Sequence, residues 1–216
     1  MKYPPSQLWK VIGVTGALAG LLAWPATGAA QLLTTTTDTL TSSTTTATQT
    51  VTGQASAVTA VVLGTITSLA DTGTLTDPAE PLGTGQPTGS IPGLLSVEAL
   101  HATTMGWDDQ VASEASLGNL AMTVAGTGIS ADFIMSRAWA VAGAGATGLT
   151  SIEGLTIGGV SVSPASIPNQ LISLPGLSVI LNEQVQSAGG IVVNALRVRT
   201  LDGLTDVVIG SAKAGI

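Results

Sequence analysis

A chain of 216 residues with 13 acidic, six basic and no cysteine side chains is long enough for a sizeable core, but it has no disulfide, thiolate metal site or cysteine nucleophile to draw on. The net charge of −7 excludes the basic stripe that neutralises nucleic-acid phosphates. Only 9% of residues are charged, while mean hydropathy is +0.50, so Thr, Ser and Asn must coat the surface, a composition that favours packing against further copies over a charged monomer.

The first element is a targeting segment over 1–30. Lys2 and Lys10 give a positive start, residues 11–22 an apolar run, and Trp24-Pro25 a helix break before Ala26-Thr-Gly-Ala-Ala30. That order is a secretory signal peptide with cleavage after Ala30; the competing reading, an uncleaved anchor, rests on the absence of charge over 11–30. Cleavage removes two lysines and no acid, so the mature chain becomes more acidic, and no membrane association is expected after it.

Residues 31–53 are a Thr-dominated extended segment, Thr34-Thr-Thr-Thr-Asp-Thr and then Thr44-Thr-Thr-Ala-Thr-Gln-Thr-Val-Thr52. A glycosylated or disordered stalk is one reading. Thr is also a strand former, and the alternation through Thr48, Thr50, Val51 and Thr52 suits a donor strand that adds to a neighbour's sheet edge. The all-β domain is expected over 54–216, beginning with a strand at 55–63. A Pro/Gly/Thr loop at 71–93 follows, where Asp77-Pro, Glu80-Pro and Gln86-Pro disfavour helix. Strands are then predicted at about 94–104, 111–125, 129–142, 151–162, 176–183, 190–200 and 204–212, separated by Gly-containing turns. The pattern is that of an antiparallel β-sandwich or jelly roll, with a parallel solenoid as runner-up. In the 151–162 strand the apolar parity changes across Gly158-Gly159, which predicts a bulge.

A short internal repeat supports two related β units. Ile91-Pro-Gly-Leu-Leu-Ser-Val97 resembles Leu174-Pro-Gly-Leu-Ser-Val179, and Glu98-Ala-Leu-His-Ala-Thr-Thr104 resembles Asn194-Ala-Leu-Arg-Val-Arg-Thr200. Together with the Leu-Asn-Glu-Gln184 phrase and the Asp206-Val-Val-Ile-Gly-Ser-Ala212 run, these stretches resemble the choice-of-anchor P family of exported bacterial surface proteins. The resemblance covers about 55–216. It implies export, surface attachment through variable C-terminal signals, and no defining enzymatic activity. The chain departs from that pattern in ending at Gly215-Ile216 without a sorting motif, so retention at the surface is expected through assembly, a partner or an uncleaved N-terminus.

Candidate chemistry is sparse. His101 is the sole histidine and falls on the outward side of its predicted strand. No Gly-x-Ser-x-Gly elbow supports a serine hydrolase. Asp108, Asp109 and Glu114 read as solvated turn acids rather than a glycosidase pair. A structural calcium at Asp108-Asp109 or between Asp202 and Asp206 is the only cofactor considered, and neither stretch has calcium-loop spacing. Trp107, in a turn after Met105-Gly106, is a candidate contact residue, as are Arg197 and Arg199, which are expected to pair with acids on neighbouring strands. Arg137 alternates with Met135 and Trp139 and is expected to stack on the indole or pair with an acid. The expectation is a non-enzymatic extracellular structural protein, a fibre or surface-layer subunit that forms a homopolymer by β-strand complementation. The alternative is a monomeric adhesin that holds a surface polysaccharide or protein ligand through loops 71–93 and 105–110.

Overall fold

The computed structural model describes residues 50–216, so the expected signal peptide and most of the Thr-rich segment lie outside the described residues. Two antiparallel sheets pack face to face as a β-sandwich. One runs, edge to edge, β10 (Gln170–Leu174), β11 (Leu177–Ser187), β12 (Gly190–Thr200), β13 (Thr205–Gly215), β1 (Thr52–Val62) and β2 (Thr65–Asp71). The other runs β3 (Leu82–Ile91), β4 (Leu95–Gly106), β5 (Gln110–Val124), β6 (Thr127–Val141), β8 (Thr156–Ile157) and β9 (Val160–Ser161), with β7 (Gly145–Glu153) also paired to β6. Every pairing is antiparallel, which excludes the solenoid.

The repeat read from the sequence has a topological counterpart. Each sheet contains a four-strand meander, β3 to β6 and β10 to β13, and each meander opens on a Pro-Gly turn. Proline presets φ there, and Gly93 and Gly176 take the positive φ of 75° and 78° that the turn requires.

Two expectations need correction. The 71–93 segment is not a loop throughout, because β3 occupies 82–91. Pro87 rules out helix but not an edge strand, where its missing N–H removes no ladder bond. The Gly158-Gly159 pair is not a bulge. With φ of 60° and 80° it closes a two-residue hairpin between β8 and β9, so the parity change is a chain reversal.

Parity changes without a chain reversal lie elsewhere, in a belt across both sheets, and the β4–β5 pairing shifts register there. Buried residues hold one parity in each long strand and then change to the other: Val97 to Leu100 in β4, Leu117 to Leu120 in β5, Ala131 to Ile134 in β6, Ala195 to Leu196 in β12. Positive φ at Ala99, Asn119, Asn182 and Gly210 marks the same belt. On one side of it the core is Leu, Ile and Val from both sheets. On the other the core is smaller and Ala-rich. The sheets approach closely there: a Cβ on Gly53 would lie 2.2 Å from Thr104 Oγ1, and one on Gly148 would lie 2.4 Å from Val193 Cγ2. In β6 of this half the inward residues are Ala138 and Ala140, and the large Trp139 between them faces out.

Candidate functional site

That outer face carries a trough. The cross-strand row Met105, Ala112, Trp139 sets a small residue on β5 between two large ones on β4 and β6. Adjacent strands are about 4.8 Å apart, so the walls rise from backbones about 9.6 Å apart over an alanine floor. The neighbouring row adds Thr103, Glu114 and Arg137. Trp107 closes one end from the β4–β5 turn, where its backbone N–H donates to the Gln110 carbonyl at 2.8 Å. The turn is pinned from below, since a Cβ on Gly106 would sit 2.9 Å from Pro78 Cα. The resulting hollow is about 330 Å³. Trp107 is 45% and Trp139 48% exposed. Within the trough Arg137 Nε donates to Glu114 Oε2 at 2.8 Å, and Nη2 donates to the same oxygen. At half exposure such a pair contributes only about 0–1 kcal/mol, so its value is orientation.

A second cluster lies on the outer face of the other sheet. Arg197 Nε and Nη2 donate to the two carboxylate oxygens of Asp206 at 2.9 and 2.6 Å, and Nη1 reaches Glu183 at 3.2 Å. Asn194 donates to Glu183 at 2.6 Å, and Arg199 Nε to Asp206 at 3.1 Å. The Asp206 hydrogen bond raises Arg197 above its ordinary pKa, against the effect of burial. Burial alone would raise Asp206, but the hydrogen bond and charge of Arg197, joined by Arg199, hold it below the usual carboxylate range. Asp202 is lowered by the Thr200 hydroxyl and the Leu204 N–H it accepts. These carboxylates are engaged by protein donors, and the cluster reads as a strand-register clamp.

A third feature is the free edge of β7. This strand pairs only with β6. Across a seam from it lies the end of β11, and two side chains bridge the gap: Gln184 Nε2 donates to the Gly148 carbonyl at 3.4 Å, and Gln186 Nε2 to the Ala146 carbonyl at 3.3 Å. Hollows of about 470 and 500 Å³ lie along the seam.

Of the residues singled out from sequence, Thr48 lies outside the described residues, and Thr50 is exposed and outside any strand. Val51 is buried in the smaller core, and Thr52 opens β1 opposite Gly215 of β13. These two are built into this chain's own sheet, which places the domain's first strand two residues before the expected boundary at 54. Asp108 and Asp109 stay in the turn, and His101 is exposed on β4. Arg197 and Arg199 converge on one acid; Trp107 is brought to Trp139, Met105 and Glu114. Sequence reasoning missed that convergence, although the outward parity of Met135, Arg137 and Trp139 was a signal for half of it. It also missed Gln184 and Gln186, whose role depends on which strand ends face each other. No known protein family, curated protein or solved structure matches the chain.

Proposed function

We propose that this chain is a non-enzymatic extracellular structural protein whose copies associate by strand addition at the free edge of β7. The observation that carries the reading is that edge. It is nine residues long, has no proline, and bears no charge before Glu153. Sheet edges normally carry a proline, a lysine or a bulge that blocks further pairing, and an unblocked edge is a template for another strand. The other edge strands differ: β10 has five residues and β9 two, β3 contains Pro87, and β2, seven residues ending at Asp71, packs against β3, where a Cβ on Gly89 would lie 3.0 Å from Leu69 Cδ1. The two glutamine amides on β7 carbonyls stand where the N–H groups of an added strand would bond, and they can rotate away.

The Thr-rich stretch 31–49 of another copy is the donor we favour, because threonine suits a pleated edge and the stretch contains one charged residue, Asp38. The signal-like N-terminus and the resemblance to choice-of-anchor P proteins support the extracellular placement. Thr150→Pro tests the reading. The outward carbonyls of Ala146 and Gly148 place the Thr150 N–H on the free edge by strand parity, so proline there blocks addition and spares the β6 ladder. Sedimentation velocity should show wild-type chain associating and the variant monomeric with unchanged far-ultraviolet dichroism. A folded variant that still associates like wild type overturns the proposal.

A further inference from the structure

We infer that the trough between Trp107 and Trp139 is a binding site for a neutral carbohydrate, occupied by a single pyranose unit of a polysaccharide chain. The inference rests on the outer face of β4 to β6 and is independent of assembly at β7.

The first argument is placement. In this half of the sandwich Ala138 and Ala140 face inward while Trp139 faces out, flanked by exposed Met105 and Trp107. Burying apolar surface stabilises by roughly 25 cal/mol per Å², so indoles held half in solvent forgo part of what packing would give the free molecule. The described residues contain two tryptophans, and both line this hollow.

The second argument is the match of shape and charge. A pyranose has an apolar face of C–H groups and a rim of hydroxyls. The Trp139 indole offers a flat apolar wall for the face, Trp107 a second aromatic surface at the end, and Ala112 an open floor. Glu114 and Arg137 stand in the adjacent row, where the rim would lie. A carboxylate only accepts and a guanidinium only donates, so together they serve a hydroxyl, which does both. Each already neutralises the other, and no further basic residue lines the hollow. An anionic sugar, phosphate or acidic peptide would find no net positive charge, which is why the occupant is a neutral glycan. The volume of about 330 Å³ lies at the small end of the roughly 300–1,000 Å³ of ligand pockets, enough for one ring with its chain continuing into solvent at both ends.

The test is an array of neutral glycans carrying oligomers of glucose, galactose, mannose and N-acetylglucosamine in α and β linkage, probed with the full chain. Binding to at least one class is expected. For the best hexasaccharide, Trp139→Ala and Trp107→Ala should each weaken affinity at least tenfold, Trp139→Phe should retain most of it, and Glu114→Gln should weaken it several-fold. The aromatic positions are exposed, so the variants should keep the wild-type unfolding midpoint. Failure to bind any neutral glycan overturns the inference. So does binding that survives Trp139→Ala, or selective retention of sulfated or uronic-acid glycans. Loss of self-association in the tryptophan variants without glycan binding would make the trough a protein contact and overturn it equally.

Discussion

At the scale of single residues, the arginine clamp joins more charged groups than any other ion pair among the described residues. Arg197 donates to both oxygens of Asp206 and also to Glu183, and only 22% of its side chain is exposed. Removing it leaves two partly buried carboxylates facing each other with only Arg199 and Asn194 to satisfy them. Arg197→Met should therefore cost about 2–3 kcal/mol at pH 7, read as a lower urea midpoint. The pH dependence follows from Asp206. Its folded-state pKa is depressed, so its contribution is present above the unfolded value of about 3.9 and is lost as pH falls below that through the folded value. The gap between wild type and variant should accordingly be constant from pH 7 to pH 5 and narrow below pH 4. A gap that stays unchanged down to pH 2.5 would show that the arginine acts through packing alone. The alternation of Arg197 and Arg199 with inward Leu196 and Val198 made their outward position legible in the sequence. Their convergence on Asp206 was not, because it depends on β12–β13 register, which places Arg199 opposite Asp206.

At the scale of elements, turns were legible wherever residue chemistry dictates them and illegible where the chain tolerates strain. The Pro-Gly turns at Pro92 and Pro175 announce themselves. The β1–β2 turn does not. Leu63-Gly64, with φ of 50° and 80°, is a two-residue reversal whose first position holds a leucine in the left-handed region, 74% exposed. Ala125-Gly126 between β5 and β6 is the same device, with φ of 49° and 77°. Asn-Gly is the sequence that signals such a turn; with Leu or Ala in the first position, the signal vanished and β2 went unread. The same reasoning predicts that the strain can be relieved. Leu63→Asn and Ala125→Asn should each stabilise by about 0.5–1 kcal/mol, since asparagine tolerates the left-handed region better than leucine or alanine. Together they should raise the thermal midpoint by several degrees, measured by calorimetry; a fall would mean that Leu63 has a packing role its exposure conceals. The belt of parity changes escaped sequence reading for a related reason. A parity change within a strand looks locally like a turn, and only pairing that continues in register past it, as from Gly118 to Leu120 against β6, shows that the strand runs on.

At the scale of the whole molecule, the two sides of the sandwich are finished differently, and the proposed association at β7 rests on that asymmetry. On the β2–β3 side the edges close on each other: a Cβ on Gly89 would lie 3.0 Å from Leu69 Cδ1. On the β7–β11 side two glutamine amides span the seam. The sequence made the sandwich readable through strand alternation and composition. It could not show which edge stays open, because that follows from long-range order in which β10 covers only the first part of β11. The open edge leads to a prediction about salt. Copies of a chain with net charge −7 repel one another, while strand addition draws on backbone hydrogen bonds that ionic strength barely touches. The Debye length falls from about 10 Å at 0.1 M to about 3 Å at 1 M, so added salt removes the repulsion and leaves the attraction. Association measured by sedimentation should strengthen several-fold between 0.05 and 0.5 M sodium chloride in the wild-type chain. The Thr150→Pro variant should remain monomeric across that range. Association that weakens with salt would instead point to ion pairs exchanged between copies, and the outward Arg137–Glu114 and Arg199–Asp206 pairs would become the contacts to dissect.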